Sequence, residues 1–310
     1  MGVMRYAPVL GTTCRIRAFG KCAALTFVSQ PGFRDRLAKV KIVAVGEVMI
    51  DHYLNLNRSF VGGISLNMAV NAKRCGADAV SLVSCVGPDE GGRRVFEKLA
   101  QEGIDASHVA VLPGETACID IQVLPQGERL FPPGSFHRNV LLDLRLSESD
   151  LAFIGQHEVL VFLYDRSQPE SPANRALETL DFDGKRVADF GDWADYAGDY
   201  DLLVSALEPL ALSFLSGNQA TIDFLLPFSR GLDGLIVVTL GAAGSVALVN
   251  GAPLFQPAQV VPNPVDSTGC GDAFQAAFTV AYFTTGDVEQ ALRQGTARAA
   301  TVLRHYGATQ

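Results

Sequence analysis

The sequence predicts an α/β fold: a mostly parallel sheet covered by helices on both faces, with a small antiparallel sheet projecting from it. Three observations carry this. Short, continuously apolar runs such as "VKIVAV", "VSLVSCV" and "LIVVTL" recur along the chain, as in parallel strands buried on both faces. Amphipathic segments of helix length alternate with them, which is a βαβ rhythm. The rhythm breaks once, at "TACIDIQVLPQGERLF", where polar and apolar residues alternate.

In chain order, Val40 opens the first strand, "VKIVAVGEVMID", whose apolar run ends in Gly, Glu and Asp. The polar, hairpin-like "HYLNLNRSFVGG" follows. A helix over 65–75 comes next, with Leu66, Ala69 and Val70 on one side and Gly76 as its stop. "AVSLVSCVG" is the second strand, "DEGGRRVFEKLAQEG" its helix and "SHVAVLP" the third strand. Residues 115–137 read as antiparallel strands around a Gln126-Gly127 turn; with 53–61 they make the small sheet. A capped helix then opens at "SESD", with Ser147 as N-cap and Asp150 in the first turn. Strand "EVLVFL", a helix near 172–180 and two strands, "KRVADF" and "YDLLVSA", follow. "LDGLIVVTLGAAGSVALVNG" is a strand, a Gly-rich turn and a second strand. "AQVV" is strand-like, and helices near 270–284 and 287–304 complete the series.

At 310 residues, with 48% hydrophobic and 19% charged residues, the chain has the composition of a folded protein. No apolar run approaches the ~20 residues a spanning helix needs, so no membrane association is expected. The net charge of -8 is unevenly spread, because residues 1–40 hold seven Lys/Arg against the single acid Asp35. That segment reads as a basic extension outside the domain, either disordered or ahead of the true translation start, with a targeting leader as the alternative. The domain is placed at 41–310. Its 18 bases and 32 acids argue against nucleic acid, whereas a nucleotide stays admissible, since backbone amides and a divalent cation neutralise phosphates locally. The six Cys lack C-x-x-C spacing, which points to a reducing, cytoplasmic setting, and the five scattered His make no metal cage.

Three polar clusters follow apolar strands, where ligands bind in such sheets. The first is "NPVDSTGCGDAFQAAF". It places Asp272 at a helix start, where the amides of Gly269, Cys270 and Gly271 converge on an anion. A carboxylate there would repel a phosphate unless a hydroxyl lies between them. Asp272 is therefore read as the base for an attacking hydroxyl, and the amides as the holder of a transferring phosphoryl group. An ordinary cap on a buried helix is the competing reading. The second cluster, "TLGAAGS", suits phosphate or ribose at Thr239, Gly241 and Gly244, and equally a tight turn between antiparallel strands. In the third, "FVGGISLN", Gly62 and Gly63 precede a helix bearing Asn67, with Asp51 at the preceding strand end. These are chelators of paired sugar hydroxyls or, singly, caps.

With the clusters in this order, the chain resembles the ribokinase-like, or PfkB, carbohydrate kinases over 41–307. "DSTGCGDAF" matches the family's D-T-x-G-A-G-D signature, with Ser267 for Thr and Cys270 for Ala. The resemblance implies a ribokinase-like fold that transfers phosphate from ATP, with Mg2+, to a sugar. Asp272 would be the base, and Gly269, Cys270 and Gly271 the anion hole. Asp51, Gly62, Gly63 and Asn67 would hold the sugar, and Thr239, Gly241 and Gly244 the ATP. Segments 53–61 and 116–137 would be a lid that often forms a homodimer contact. Asp266 falls where some members bind a monovalent cation, K+. The family's magnesium-associated N-x-x-E appears as "SALE", with Ser205 for Asn and Glu208 retained. Within the family the chain is most similar to fructoselysine 6-kinase-like members, which phosphorylate the primary hydroxyl of a ketose joined to an amino acid; Glu115, His137 and Arg138 are candidates for that tail. Ribose, fructose and nucleoside kinases, and a non-catalytic binding relative, are the alternatives.

Overall fold

The computed structural model describes residues 39–164, 172–196 and 200–310. Nearly all of the basic 1–40 segment thus lies outside the described residues. The elements begin with β1 (Lys41–Val45), β2 (Met49–Tyr53), β3 (Arg58–Gly62), α1 (Ile64–Arg74), β4 (Ala79–Val86), α2 (Glu90–Glu102) and β5 (Asp105–Val111). Next come β6 (Cys118–Val123), β7 (Arg129–Leu130), β8 (Phe136–His137), α3 (Glu148–Ile154), β9 (Val159–Leu163), α4 (Pro172–Thr179) and β10 (Lys185–Asp192). The series ends with α5 (Tyr200–Leu207), β11 (Leu212–Ser216), α6 (Gln219–Leu225), β12 (Leu235–Thr239), β13 (Ser245–Val249), β14 (Ala252–Gln256), α7 (Cys270–Thr285) and α8 (Val288–Val302).

The main sheet has nine strands in the order β14-β13-β12-β11-β10-β9-β1-β4-β5, parallel from β12 to β5 and antiparallel only at β13 and β14. Period-two alternation sends neighbouring residues to opposite faces. On β11, Phe214 packs edge-on against Phe278 of α7, 5.4 Å between ring centroids, while Leu215 joins a core shared with Ile154 of α3, Leu177 of α4, Leu203 of α5 and Ile222 of α6. Helices therefore cover both faces. The predicted cap of α3 is present: Ser147 and Asp150 bond reciprocally.

The second sheet runs β3-β2-β6-β7, with β8 also on β6. The Gln126-Gly127 turn joins β6 to β7 with both residues at positive φ, 71° and 77°. This sheet is mixed rather than purely antiparallel, because β2 and β6 are parallel, from Ile50 opposite Cys118 to Tyr53 opposite Ile121.

Three readings are corrected. "YDLLVSA" is not a strand but lies in α5, with buried Leu203 and Leu207 one helical turn apart; the neighbouring "LSFLS" supplies the strand. A short apolar run fits either period, and packing against β10 decides. "AQVV" is not a strand either: Val260 is 85% exposed, and Pro257, Pro262 and Pro264 deny the ladder its donors. Helix α6, capped by Asn218, was not anticipated.

Candidate active site

The turn before α7 requires glycine. Gly269 has φ +75°, and a Cβ there would come 2.0 Å from the Cβ of Ala308. The first helical bond is Ala273 N–H to the Gly269 carbonyl, 2.9 Å, so the amides ahead of it precede any intrahelical partner. Cys270 N–H donates to the Ser267 carbonyl at 3.2 Å, a long bond within the turn. Among the described residues the amides of Gly269 and Gly271 have no protein acceptor. Gly271 is exposed, with nothing within 4 Å of where a Cβ would stand. The Cys270 thiol points inward, and burial pushes it up to about 12, so it is no nucleophile.

Helices α1 and α7 pack together, and their first turns share one hydrogen bond: Asn67 Nδ2 donates to Asp272 Oδ2 at 2.8 Å. Asp272 is partly exposed. Burial pushes its carboxyl up to about 6, with the charge of Asp189 adding to the rise and the Asn67 bond and Arg129 opposing it. It is thus ionised at neutral pH yet still a competent proton acceptor. Asn67 is 4% exposed and its Oδ1 is a buried acceptor with no protein partner, able to accept a hydroxyl.

Asp51, on β2, is 3% exposed. Burial and the charges of Asp272, Asp266 and Glu47 raise its carboxyl to about 8. Gly62 lies against it, since a Cβ on Gly62 would fall 2.2 Å from Asp51 Oδ2. Gly63, at φ +96°, is the N-cap of α1 and packs on the Glu47–Met49 backbone, which aims Asn67 at Asp272. The sequence cluster is therefore also a structural unit.

The tip of the small sheet docks beside the α7 turn. Ser267 N–H donates to the Gly127 carbonyl at 2.7 Å, and Arg129 Nη1 to the Ser267 carbonyl at 3.0 Å. Buried Gly127 sits against the Pro264–Val265 backbone. Of the proposed tail readers, Arg138 pairs with buried Glu47 at 3.6 Å, while His137 is exposed 3.8 Å from Asp120 and Glu115 is exposed.

Thr239 ends β12, with its hydroxyl 3.1 Å from that of Ser216. Gly244, at φ +122°, packs on the end of β14, for a Cβ there would strike the Gln256 carbonyl at 2.1 Å; Gly241 is exposed and open. Glu208 is exposed just past α5. No group of three or more His, Cys, Asp or Glu fits a metal among the described residues. Asp266 is fully buried and accepts three protein hydrogen bonds, from Tyr53, Thr268 and Gly307.

Sequence reasoning missed Tyr53, Arg129 as a charge beside Asp272, and Asp189, which is buried on β10 and raised by that burial while Gln275 and Gly191 donate to it. It also missed the packing of Gly307 and Ala308. A Tyr and a Gly-Ala pair carry no local signal of such roles.

The description of a pfkB family carbohydrate kinase matches residues 39–310 of this chain. The chain belongs to that family. This pfkB kinase is 32% identical over 273 residues to fructoselysine 6-kinase of Escherichia coli, covering 86% of this chain and 98% of that one. It is 28% identical over 276 residues to a fructosamine kinase of Bacillus subtilis, covering 87% and 93%. The crystal structure of adenosine kinase from Sinorhizobium meliloti superposes with a TM-score of 0.76 over 88% of this chain and 96% of that one, at 17% identity, a likeness of fold. The kinase is thus an enzyme that phosphorylates a sugar hydroxyl, and kinases of its family use ATP with a divalent metal. Among the described residues no helix is long and apolar enough to cross a membrane.

Proposed function

We propose that this kinase transfers the γ-phosphoryl group of ATP to the primary hydroxyl of a ketose joined to an amino acid, of the fructoselysine type. The observation that carries the chemistry is the Asp272 carboxylate, held by Asn67 beside the amides that open α7. Asp51 and Asn67 bind sugar hydroxyls, the latter through its unpartnered Oδ1. Asp272 orients the attacking hydroxyl and takes its proton late, as the new O–P bond forms and the bond to the leaving ADP breaks. The amides of Gly269 and Gly271 hold the phosphoryl oxygens, and that of Cys270 joins them by giving up its long bond to Ser267. Thr239 and Gly241 line the nucleotide, with Gly244 shaping their turn. Mg2+, when bound, neutralises the phosphate oxygens, and Glu208 is the carboxylate that would hold it.

The acceptor class rests on the two ketose-amine kinases among the relatives. In this reading Arg138, paired with Glu47, meets the amino-acid part. Leu54, Leu124, Leu130, Phe131 and Phe136 are exposed on the small sheet, the surface we assign to a homodimer contact, which sedimentation would test. The free thiols of Cys75, Cys85, Cys118 and Cys270 suit the cytoplasm. ADP release with ribose, fructose, tagatose, nucleosides and fructosamines tests the substrate. The highest kcat/KM is expected with a fructosamine; a simple sugar or nucleoside in that place would overturn the assignment.

A further inference from the structure

Asp266 stands apart from the other acids of the cleft. Its Oδ2 accepts from the Tyr53 hydroxyl at 2.6 Å and from Gly307 N–H at 2.9 Å, and its Oδ1 from Thr268 N–H at 2.9 Å. It is 0% exposed. Three donors fill three of the carboxylate's roughly four acceptor positions, both of those on Oδ2, and no solvent-facing side remains. This environment does not fit a directly bound K+.

Tyr53 is placed to do more than fill space. It is 1% exposed, its ring is set edge-on to Phe60 at 5.1 Å and Tyr306 at 6.3 Å, and it lies two residues beyond Asp51, on the same face of β2. Beyond Asp266, the two amides it holds each adjoin a wall of the anion-binding turn: Thr268 precedes Gly269, and Gly307 precedes Ala308, whose side chain packs on Gly269. One hydroxyl thus joins the strand that carries the sugar ligand to the turn that carries the phosphoryl ligands. We propose that Tyr53, acting through Asp266, is a positioning residue for phosphoryl transfer that takes the place of a monovalent cation and couples the sugar-binding strand to the turn at Gly269.

The inference rests on the reading of 269–272 as the phosphoryl site. Transfer depends on aim, and a small misplacement of the donors is costly in rate. Wild-type turnover and melting temperature are compared in KCl and in tetramethylammonium chloride; both are expected to agree, turnover within about 2-fold, and clear activation by KCl would overturn the proposal. For Tyr53→Phe, KM for sugar and ATP should stay within ~3-fold while kcat falls ~10-fold or more. Amide exchange should quicken at 266–272 and 307–309 and be unchanged in the far strands. Wild-type kcat or unaltered exchange in this variant would sink the idea. Should the variant not fold, the cation comparison on the wild type still decides. Asp272→Asn separates the two levels: full turnover by that variant removes the site reading, whereas loss there with full turnover by Tyr53→Phe removes the linkage alone.

Discussion

At Gly269 an added Cβ would lie 2.0 Å from the Cβ of Ala308, whereas at Gly241 it would meet nothing within 4 Å, although both residues have positive φ, 75° and 57°. The first turn is held from outside, by the chain's last residues, by Asp266 and by the docked tip at Gly127. The second is a hairpin turn between β12 and β13 whose one crowded glycine, Gly244, packs on the backbone of 256–258 at the end of β14, while Gly241 at its tip touches nothing. The difference teaches that the turn proposed to hold the phosphoryl group is fixed by the whole fold, while the turn proposed for the nucleotide keeps an open approach at Gly241.

Four predictions test that contrast, the largest first. Asp272→Asn should lower kcat by ~10²- to 10⁴-fold with ATP affinity nearly unchanged, since only the proton acceptor is lost. Gly269→Ala should lower the melting temperature by roughly 5–10 °C and abolish most turnover; Gly241→Ala, facing only backbone strain, should shift melting by no more than about 3 °C. Equal effects in calorimetry would erase the contrast.

The third concerns Asp51. Its carboxyl is raised from 3.8 to about 8, so between those values the folded state holds a proton the unfolded chain has released, and stability falls as pH rises through that window. Asp51→Asn should therefore melt increasingly above wild type from about pH 4 to pH 8, with no such advantage near pH 4, while sugar KM rises ~10-fold or more. A melting difference independent of pH would contradict the assigned strain. The smallest effect is expected at Arg129. The acidic limb of kcat/KM should turn near pH 6, because Asp272 must be ionised, and Arg129→Ala should move that limb upward, since the guanidinium lowers this carboxyl. An unmoved limb would place the charge elsewhere.

Much of the architecture was legible because buried parallel strands write continuous apolar runs: β1, β4, β9 and β12 could be read directly. The errors fell where one run suits two periods, as in α5, or where prolines cancel a strand that hydrophobicity suggests, as at 258–261. Asp51, Asn67 and Asp272 stood out as candidates because glycines beside a carboxylate or amide at a helix start are a local pattern. The structure joins Asn67 directly to Asp272, although 205 positions separate them, and couples Asp51 to the same carboxylate. What surrounds Asp266 was not legible. A carboxylate in a turn looks alike whether a cation or a tyrosine faces it.

By itself, then, the sequence determined most of the strands and helices and marked the glycine-rich turns as candidates, since periodicity, glycine and capping are local properties of the chain. Only the tertiary structure decided the surroundings of each carboxylate: Asp266 bonded by Tyr53 and two amides, Asp272 pushed up to about 6, Asp51 to about 8. Those surroundings depend on burial and on charges brought from distant positions, and neither is written in the neighbouring residues.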